Sequence, residues 1–188
     1  MNLTKQRQQT AYDALRADFG YTSLMQSPRV TKVVVSTGVG KKRDKKQIEL
    51  ISDRLAKITG QKAAPRASKL SIAAFKVREG DTVGLQVTLH GPRMYDFLDK
   101  LIHIALPRTR DFRGIPASAI DDMGNLTVGM KENTIFPETS DEDLKDVFGL
   151  AITIVTTAKT KKEADAFFRH LGMPLRPVEE PKAKPKKK

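Results

Sequence analysis

The chain has 188 residues, 39% of them hydrophobic, so it can form one folded domain with a real core. Its formal net charge of +12 favours a polyanionic partner, nucleic acid first and an anionic membrane second. It has no cysteine, which excludes disulfides, thiolate nucleophiles and cysteine zinc sites and fits a reducing compartment. No apolar run approaches the length of a membrane span, and the polar N-terminus lacks the centre of a signal peptide. We therefore expect a cytoplasmic protein.

Apolar periodicity and turn residues predict four helices and four strands. In chain order, the predicted helices cover residues 3–19, 45–59, 92–106 and 161–171, and the predicted strands cover residues 29–36, 71–78, 82–90 and 150–157. Residues 108–148 are predicted to be irregular, with short strands possible at residues 126–130 and near Ile135. The sequence REGD, residues 78–81, predicts a hairpin turn that joins the strands 71–78 and 82–90.

This mixture of helices, strands and a hairpin predicts an α+β fold, in which a mostly antiparallel sheet carries helices on one face and leaves the other open. We expect a single domain over residues 1–174. Residues 175–188 are rich in proline and lysine and lack periodicity, which predicts a disordered basic tail.

The stretch VVVSTGVGKKRDKK, residues 33–46, runs from a strand through two glycines into cations. A P-loop would need glycine where Val35 stands and a hydroxyl where Lys42 stands, and a dinucleotide fingerprint would need glycine at Arg43. Both templates fail at the residues that carry their chemistry. A strand, a tight glycine turn and a cluster of cations remain, which is typical of binding to a phosphate backbone without a pocket.

Alternation along the strands indicates which side chains share the open face. Val33, Val35, Val87 and Leu89 would point inward, as would Ile152, Ile154, Phe75 and Val77. The opposite positions are polar, small or cationic: Lys32, Val34, Ser36, Lys76, Arg78, Gln86, Thr88, His90, Thr153 and Val155. Such a face suits the shallow minor groove of an RNA helix. An ordinary solvated face is the alternative that alternation alone leaves open.

Two charged clusters stand apart from the strands. PRTRDFRGI, residues 107–115, carries Arg108, Arg110 and Arg113, which could either bind phosphates or be held by Asp111 in a structural loop around Phe112. FPETSDEDLKD, residues 136–146, is acidic in a basic chain. It is either a solvated helix start or a surface for a basic protein.

No catalytic, metal or cofactor site is predicted. The three histidines, His90, His103 and His170, lie far apart in sequence without metal-ligand spacing, and no serine lies in a nucleophile elbow. We therefore expect a protein that is not an enzyme.

The segments MQSPRVTKVVVSTGVG, ITGQK, SIAAFKVREG, VGLQVTLHGPRMYDFLDKLI, LPRTRDFRGI, IFPE and GLAITIVTTAKT follow in order along the chain. In order and spacing they resemble the bacterial large-subunit ribosomal protein L5 family, over about residues 20–174. The resemblance implies a ribosomal protein that binds 5S rRNA and helps attach it to 23S rRNA in the central protuberance. It also implies contacts with P-site tRNA, with the small-subunit protein S13 across an intersubunit bridge, and with neighbouring large-subunit proteins.

The resemblance and the open face together predict which residues contact RNA. They are Lys32, Ser36, Gly38, Gly40, Lys41, Lys42, Arg43, Gln61, Lys62, Lys76, Arg78, Gln86, Thr88, His90, Arg93, Arg108, Arg110 and Arg113. The resemblance further implies a tRNA-contacting loop with Arg66, Ser68 and Lys69, and protein-bridge candidates Glu138, Asp141, Glu142, Asp143 and Asp146.

Three positions depart from the usual family pattern: Ser36 replaces an asparagine, His90 an arginine and Leu70 a basic residue. The alternative function is a free-standing RNA-binding regulator or RNA chaperone with the same basic face and no fixed assembly.

Overall fold

The computed structural model describes residues 2–40, 45–110, 112–139 and 147–177. The helices are α1 (Leu3–Phe19), α2 (Lys45–Thr59), α3 and α4 (Lys161–Leu171). Helix α3 begins as Gly91–Lys100, passes through a π-helical turn, Leu101–Ala105, and ends as Leu106–Arg108. The strands are β1 (Val30–Gly38), β2 (Ala64–Ala67), β3 (Thr82–Leu89), β4 (Leu126–Met130) and β5 (Leu150–Thr156). The expected α+β class is confirmed.

The five strands form one sheet in the order β2-β3-β1-β5-β4, with every neighbouring pair antiparallel. β1 lies at the centre, between β3 and β5. Its inward side chains Val33 and Val35 are fully buried, as are Val87 on β3 and Ile152 on β5. Each such side chain contributes about 1.5–3 kcal/mol through burial, so this inner face fixes the strand register against the helical layer.

The apolar stripe of α3 is buried as predicted, at Met94, Phe97, Leu98, Leu101, Ile102 and Ala105. The helix ends at Arg108, one residue after Pro107, which was expected to stop it. The π-helical turn precedes this proline, and the N–H of Leu106 reaches back to the carbonyl of Leu101. Pro107 has no backbone N–H, so the helix loses one hydrogen bond at this residue in any case. The widened turn lies next to this existing break in the hydrogen-bond pattern.

The predicted strand 71–78 is wrong. Its two halves instead fold onto each other: the N–H of Ile72 bonds to the carbonyl of Val77 at 2.9 Å, around a 3-10 turn at Ala73–Phe75. The partner of β3 is β2, in the stretch that had been interpreted as a loop. Pro65 cannot donate to a ladder, but it is tolerated here because β2 is an edge strand. The REGD turn is confirmed, with Gly80 at φ +89°.

β1 continues to Gly38, two residues beyond its predicted end, and the N–H of Val39 still bonds to the carbonyl of Val83 at 2.9 Å. Gly40 lies in a turn, as expected, but neither Gly38 nor Gly40 has the positive φ that would require glycine, and residues 41–44 lie outside the described residues. The segment near Ile135 is a 3-10 turn rather than a strand.

The chain also remains packed past residue 174. Leu175 is buried, pairs in parallel with Ile115, and is followed by Arg176, whose N–H bonds to the carbonyl of Ile115 at 2.8 Å. Met173 and Leu175 are both buried, so the packed part of the chain extends into the first residues of the predicted tail. The predicted tail from 178 onward lies outside the described residues.

Candidate nucleic-acid interface

The outer face of the sheet is built from short side chains in register. One row crosses all five strands through Ala64, Gln86, Ser36, Ala151 and Gly129. The next row crosses four strands through Thr88, Val34, Thr153 and Thr127. These residues are half-buried or exposed, whereas their inward neighbours are buried. The result is a broad, shallow surface, which we call the open face.

Hydrogen bonds hold the polar side chains of the open face in place. The Arg66 Nε donates to Gln86 Oε1 at 2.7 Å, and the hydroxyls of Thr127 and Thr153 lie 3.1 Å apart. The Gln61 Nε2 donates to the carbonyl of Thr88 at 3.3 Å. Because these groups are already oriented, a partner that binds them meets a lower entropic cost of ordering.

Two glycines on the open face are not required by the fold. A Cβ built on Gly38 or Gly129 meets no atom within 4 Å, and neither residue has the left-handed backbone that favours glycine. Glycine inside a strand weakens it and often marks a place where a ligand or another backbone approaches closely. These two positions therefore leave the backbone of the open face accessible to a close approach.

Cations border the open face on several sides. Lys32 is exposed on β1, Lys62 is exposed just before β2, and Arg66 lies on β2 itself. Arg66 was expected in a loop, but the structure places it opposite Gly84 at the sheet edge. His90 directly follows β3, with Nδ1 3.3 Å from the carbonyl of Thr31. The predicted contacts Lys41, Lys42 and Arg43 lie outside the described residues.

The loop between β2 and β3 closes on itself through backbone hydrogen bonds. The N–H of Ser68 donates to the carbonyl of Asp81 at 2.8 Å, and the N–H of Gly80 donates back to the carbonyl of Ser68 at 3.1 Å. Lys76 and Arg78, which were predicted on the sheet, belong to this loop, and so does Lys69. All three are exposed, so they extend the basic border beyond the sheet edge.

Four predicted RNA-contacting arginines lie outside the strands that form the open face. Arg93 is in the first turn of α3, in a cleft that also contains Lys57 and Lys100. Arg108 and Arg110 line a cleft of about 560 Å³ beside β4, and the lining of this cleft includes the open-face residue Gly129. Arg113 is exposed, and its carbonyl accepts a hydrogen bond from Arg176 Nε at 3.1 Å. The sequence analysis placed these four arginines in one RNA-contacting set, whereas the fold distributes them over three sites.

The acidic segment is described only at its start. Glu138 accepts a hydrogen bond from Lys100 Nζ at 2.5 Å, and the same ammonium donates to the carbonyl of Ile58 at 2.6 Å. Lys100 therefore ties α3 to the end of α2, and Glu138 pairs with the charge of Lys100. Asp141, Glu142, Asp143 and Asp146 lie outside the described residues, as does Asp111.

Sequence reasoning missed the contribution of β4 to the open face. Thr127 and Gly129 alternate with the buried residues Leu126, Val128 and Met130, so the same period-two pattern could have found them. The sequence analysis also placed Phe75 on the inner face of a strand, although Phe75 is 71% exposed.

The three histidines lie in different parts of the molecule. His103 is exposed on α3, and His170 Nε2 lies 2.8 Å from the carbonyl of Arg7, at the contact between α4 and α1. Within the described ranges, no group of three or more metal-binding side chains occurs. None of the helices described has both the length and the apolar character needed to cross a bilayer.

Comparison with known proteins identifies a family that matches most of this chain. The family model described as Ribosomal protein L5 matches residues 23–78, and the model of the ribosomal L5 family C-terminus matches residues 82–175. The large ribosomal subunit protein uL5 of Flavobacterium johnsoniae is 50% identical over 164 residues, which cover 87% of this chain and 90% of that protein. That of Trichlorobacter lovleyi is 47% identical over 163 residues, covering 86% and 91%.

The three residues between the two matched ranges, 79–81, lie at the end of the loop between β2 and β3, and one sheet contains strands from both ranges. Members of this family are structural, non-enzymatic components of the ribosome. The chain belongs to the ribosomal protein L5 family and is a structural constituent of the large ribosomal subunit.

Proposed function

We propose that this protein binds 5S rRNA through the open face and helps attach it to 23S rRNA. The observation that carries the proposal is the pair of strand glycines, Gly38 and Gly129, on a flat surface of hydroxyl, amide and small side chains. The fold has room for a side chain at both positions, whereas an RNA backbone lying directly against the sheet would need the space that glycine leaves. Lys32, Lys62 and Arg66 stand at the border, where they can neutralise phosphates.

RNA suits this surface better than a protein partner does. A protein interface has an apolar core with aromatic anchors, whereas the open face presents threonine, serine, glutamine and glycine. Ribose hydroxyls and phosphate oxygens in an RNA minor groove both pair with such groups. The proposal also favours a fixed ribosomal component over a free RNA chaperone, because family members are parts of the large subunit.

The loop between β2 and β3 is proposed to contact P-site tRNA. Its base is fixed to the sheet through Arg66, and its exposed cations, Lys69, Lys76 and Arg78, project past the sheet edge. The acidic segment that contains Asp141 and Asp143 is proposed to face protein S13. Its charge would repel RNA and attract a basic protein.

Binding of isolated 5S rRNA to the full chain, measured over a series of KCl concentrations, tests the central proposal. If about six phosphates are neutralised, the log–log slope should be about −4 to −5. Lys32→Ala should reduce that slope by about one unit. Lys162→Ala is the matched control, because Lys162 is equally exposed but lies on α4, away from the sheet.

Chemical footprinting of the RNA with each protein should show protection that is weakened by Lys32→Ala and unchanged by Lys162→Ala. A slope near zero, or equal losses for the two variants, would contradict binding through the open face. A free chaperone would leave large subunits during a high-salt wash, whereas an integrated component would stay.

A further inference from the structure

The sheet has a free edge at β4. This strand is the last in the order β2-β3-β1-β5-β4, so it is paired along its length only on the side of β5. On its other side Leu126 forms an isolated bridge with Ile120, and no other described residue hydrogen-bonds to the backbone of residues 127–130 there. An edge strand presents unpaired N–H and C=O groups, which can pair with another extended chain.

A cleft of about 560 Å³ runs along this free edge. Three consecutive strand residues, Val128, Gly129 and Met130, line it together with Lys131. Consecutive side chains of a strand point to opposite faces of the sheet, so a cleft lined by all of them follows the edge rather than one face. The remaining lining comes from the end of α3, from the residues that follow it, and from the turn after β4. A cleft of this size is typical of binding sites, which occupy about 300–1,000 Å³.

The lining of the cleft is largely apolar. Leu106, Val128, Met130 and Ile135 belong to the hydrophobic core, and Phe112 packs against that core while remaining half-buried. A strand added beside β4 would direct every second side chain toward the face that these residues cover. The cleft therefore fits an extended peptide in which apolar residues alternate with residues of another type.

The exposed residues of the cleft are mainly basic. Arg108, Arg110 and Lys131 are exposed, whereas Glu132 is the one acid among its described lining residues. None of these three cations forms an ion pair with an acid in the part of the chain that the structure describes. Carboxylates at the alternate positions of a bound peptide would complement this charge.

We propose that the cleft beside β4 binds an extended acidic segment of another protein, which joins the sheet as a sixth strand. Backbone hydrogen bonds to β4 would supply affinity, while apolar side chains against Phe112 and carboxylates against Arg108 and Arg110 would supply specificity. Gly129 belongs both to the cleft and to the open face, so the segment would lie at the border of the open face. This inference goes beyond the proposed function, because it does not require the open face to bind RNA.

Two other occupants fit the cleft less well. A second copy of this chain would bring two basic clefts together, and the net charge of +12 on each copy opposes that contact. RNA can pair with the arginines, but it carries no ladder of N–H and C=O groups at strand spacing. It would therefore leave the free edge of β4 unused.

The test titrates fluorescein-labelled heptapeptides with the full chain and measures fluorescence anisotropy. The first peptide alternates aspartate and valine, and the second has lysine in place of aspartate. Two further acidic peptides carry backbone N-methyl groups, at the valines in one and at the aspartates in the other, so that each lacks the N–H donors of one edge. Arg108→Ala combined with Arg110→Ala is the test variant. Arg113→Ala is the matched control, because Arg113 is exposed and close in sequence but does not line the cleft.

The unmethylated acidic peptide should bind the wild type and Arg113→Ala equally, and the lysine peptide should not bind. The double arginine variant should bind the acidic peptide about tenfold more weakly or less, because two charge-assisted contacts are lost. At least one of the N-methylated peptides should also bind about tenfold more weakly, because methyl groups on the edge that faces β4 remove its donors. Thermal unfolding checks that each variant is folded.

Several results would overturn the inference. Failure of the acidic peptide to bind the wild type would do so, as would equal binding of the double variant and Arg113→Ala. If both N-methylated peptides bind as well as the unmethylated one, the contact is one of charge and not of strand pairing. If no peptide binds but the double variant loses affinity for 5S rRNA, the cleft belongs to RNA. If the peptide binds only after Asp141 and Asp143 are replaced with lysine, the occupant is the chain's own acidic segment.

Discussion

The hydroxyl of Tyr21 donates a hydrogen bond to Glu163 Oε1 at 2.5 Å, although the two residues lie 142 positions apart. Both side chains are buried, and Glu163 Oε2 also accepts from the N–H of Lys159 at 2.8 Å. This contact joins the segment between α1 and β1 to the first turn of α4. It fixes the entry to the central strand against the last helix.

Burial and the neighbouring Glu163 carboxylate raise the pKa of Tyr21 well above its ordinary value of 10.0. In the unfolded chain the phenol ionises near that value, whereas the folded protein keeps its proton. The contribution of Tyr21 to stability is therefore complete below about pH 10 and is lost as the pH rises further. Tyr21→Phe should lower the free energy of unfolding by about 1–3 kcal/mol at pH 7 and should flatten the decline above pH 10. Urea unfolding between pH 7 and 11 measures both effects.

Tyr12→Phe is the control for that experiment, because Tyr12 is a half-buried tyrosine on α1. A Tyr21→Phe curve that runs parallel to the wild-type curve above pH 10 would contradict the assigned role.

Gly124→Ala should destabilise the protein by about 2–4 kcal/mol. A Cβ at Gly124 would lie 2.8 Å from the carbonyl oxygen of Ala158, and φ is +77°. Gly129→Ala is the matched control because its Cβ enters open space, so its stability should stay within about 0.5 kcal/mol of the wild type. Thermal unfolding of both variants is the measurement, and equal losses would show that the close approach at Ala158 relaxes easily.

Gly38→Val should stabilise the isolated protein and weaken its binding to 5S rRNA. Valine suits a strand better than glycine does by about 0.5–1 kcal/mol, and the position has room for it. The same side chain would stand between the open face and RNA. Urea unfolding measures the stability and filter binding measures the affinity for RNA. Ala17→Val, at an exposed position of α1, is the control for added side-chain bulk. Unchanged RNA affinity would mean that nothing approaches β1 closely at this point.

Reversing Asp141 and Asp143 to lysine should weaken the association of large and small subunits, because the acidic segment is proposed to face a basic surface of S13. Sedimentation of subunits over a magnesium titration measures the effect. Replacing Asp13 and Asp18, two exposed acids of α1, with lysine gives the same change in net charge elsewhere and should leave association intact. If both pairs behave alike, the effect is one of total charge.

Elements with strong periodic patterns were predicted well from the sequence. α1 and α4 have the predicted bounds, and Val33, Val35, Ile152 and Ile154 all face the core. At these positions local preference and burial favour the same structure, so period and composition suffice to predict it. The family was also recognisable, since its segments follow in order along the chain.

The errors lie where tertiary pairing overrides local pattern. Alternation in SIAAFKVR, residues 71–78, predicts a strand, but APRA at residues 64–67 takes the edge of β3 instead. Strand pairing depends on which segment reaches the sheet edge, and one sequence does not encode that locally. Lys76, Arg78 and Phe75 were misplaced for this single reason. The arginines of residues 108–113 are close in sequence, and only the fold shows that Arg108 and Arg110 line a cleft beside β4 rather than standing on a strand of the open face.

The central place of β1 has a consequence for how the protein is made. β1 ends at Gly38, but its partners β3 and β5 begin only at Thr82 and Leu150. During synthesis, one edge of the nascent strand therefore stays without its partner until more than three quarters of the chain has left the ribosome. Such an edge invites pairing with other chains. Slow elongation before Leu150 would prolong that exposure, so translation speed in this stretch bears directly on the yield of folded protein.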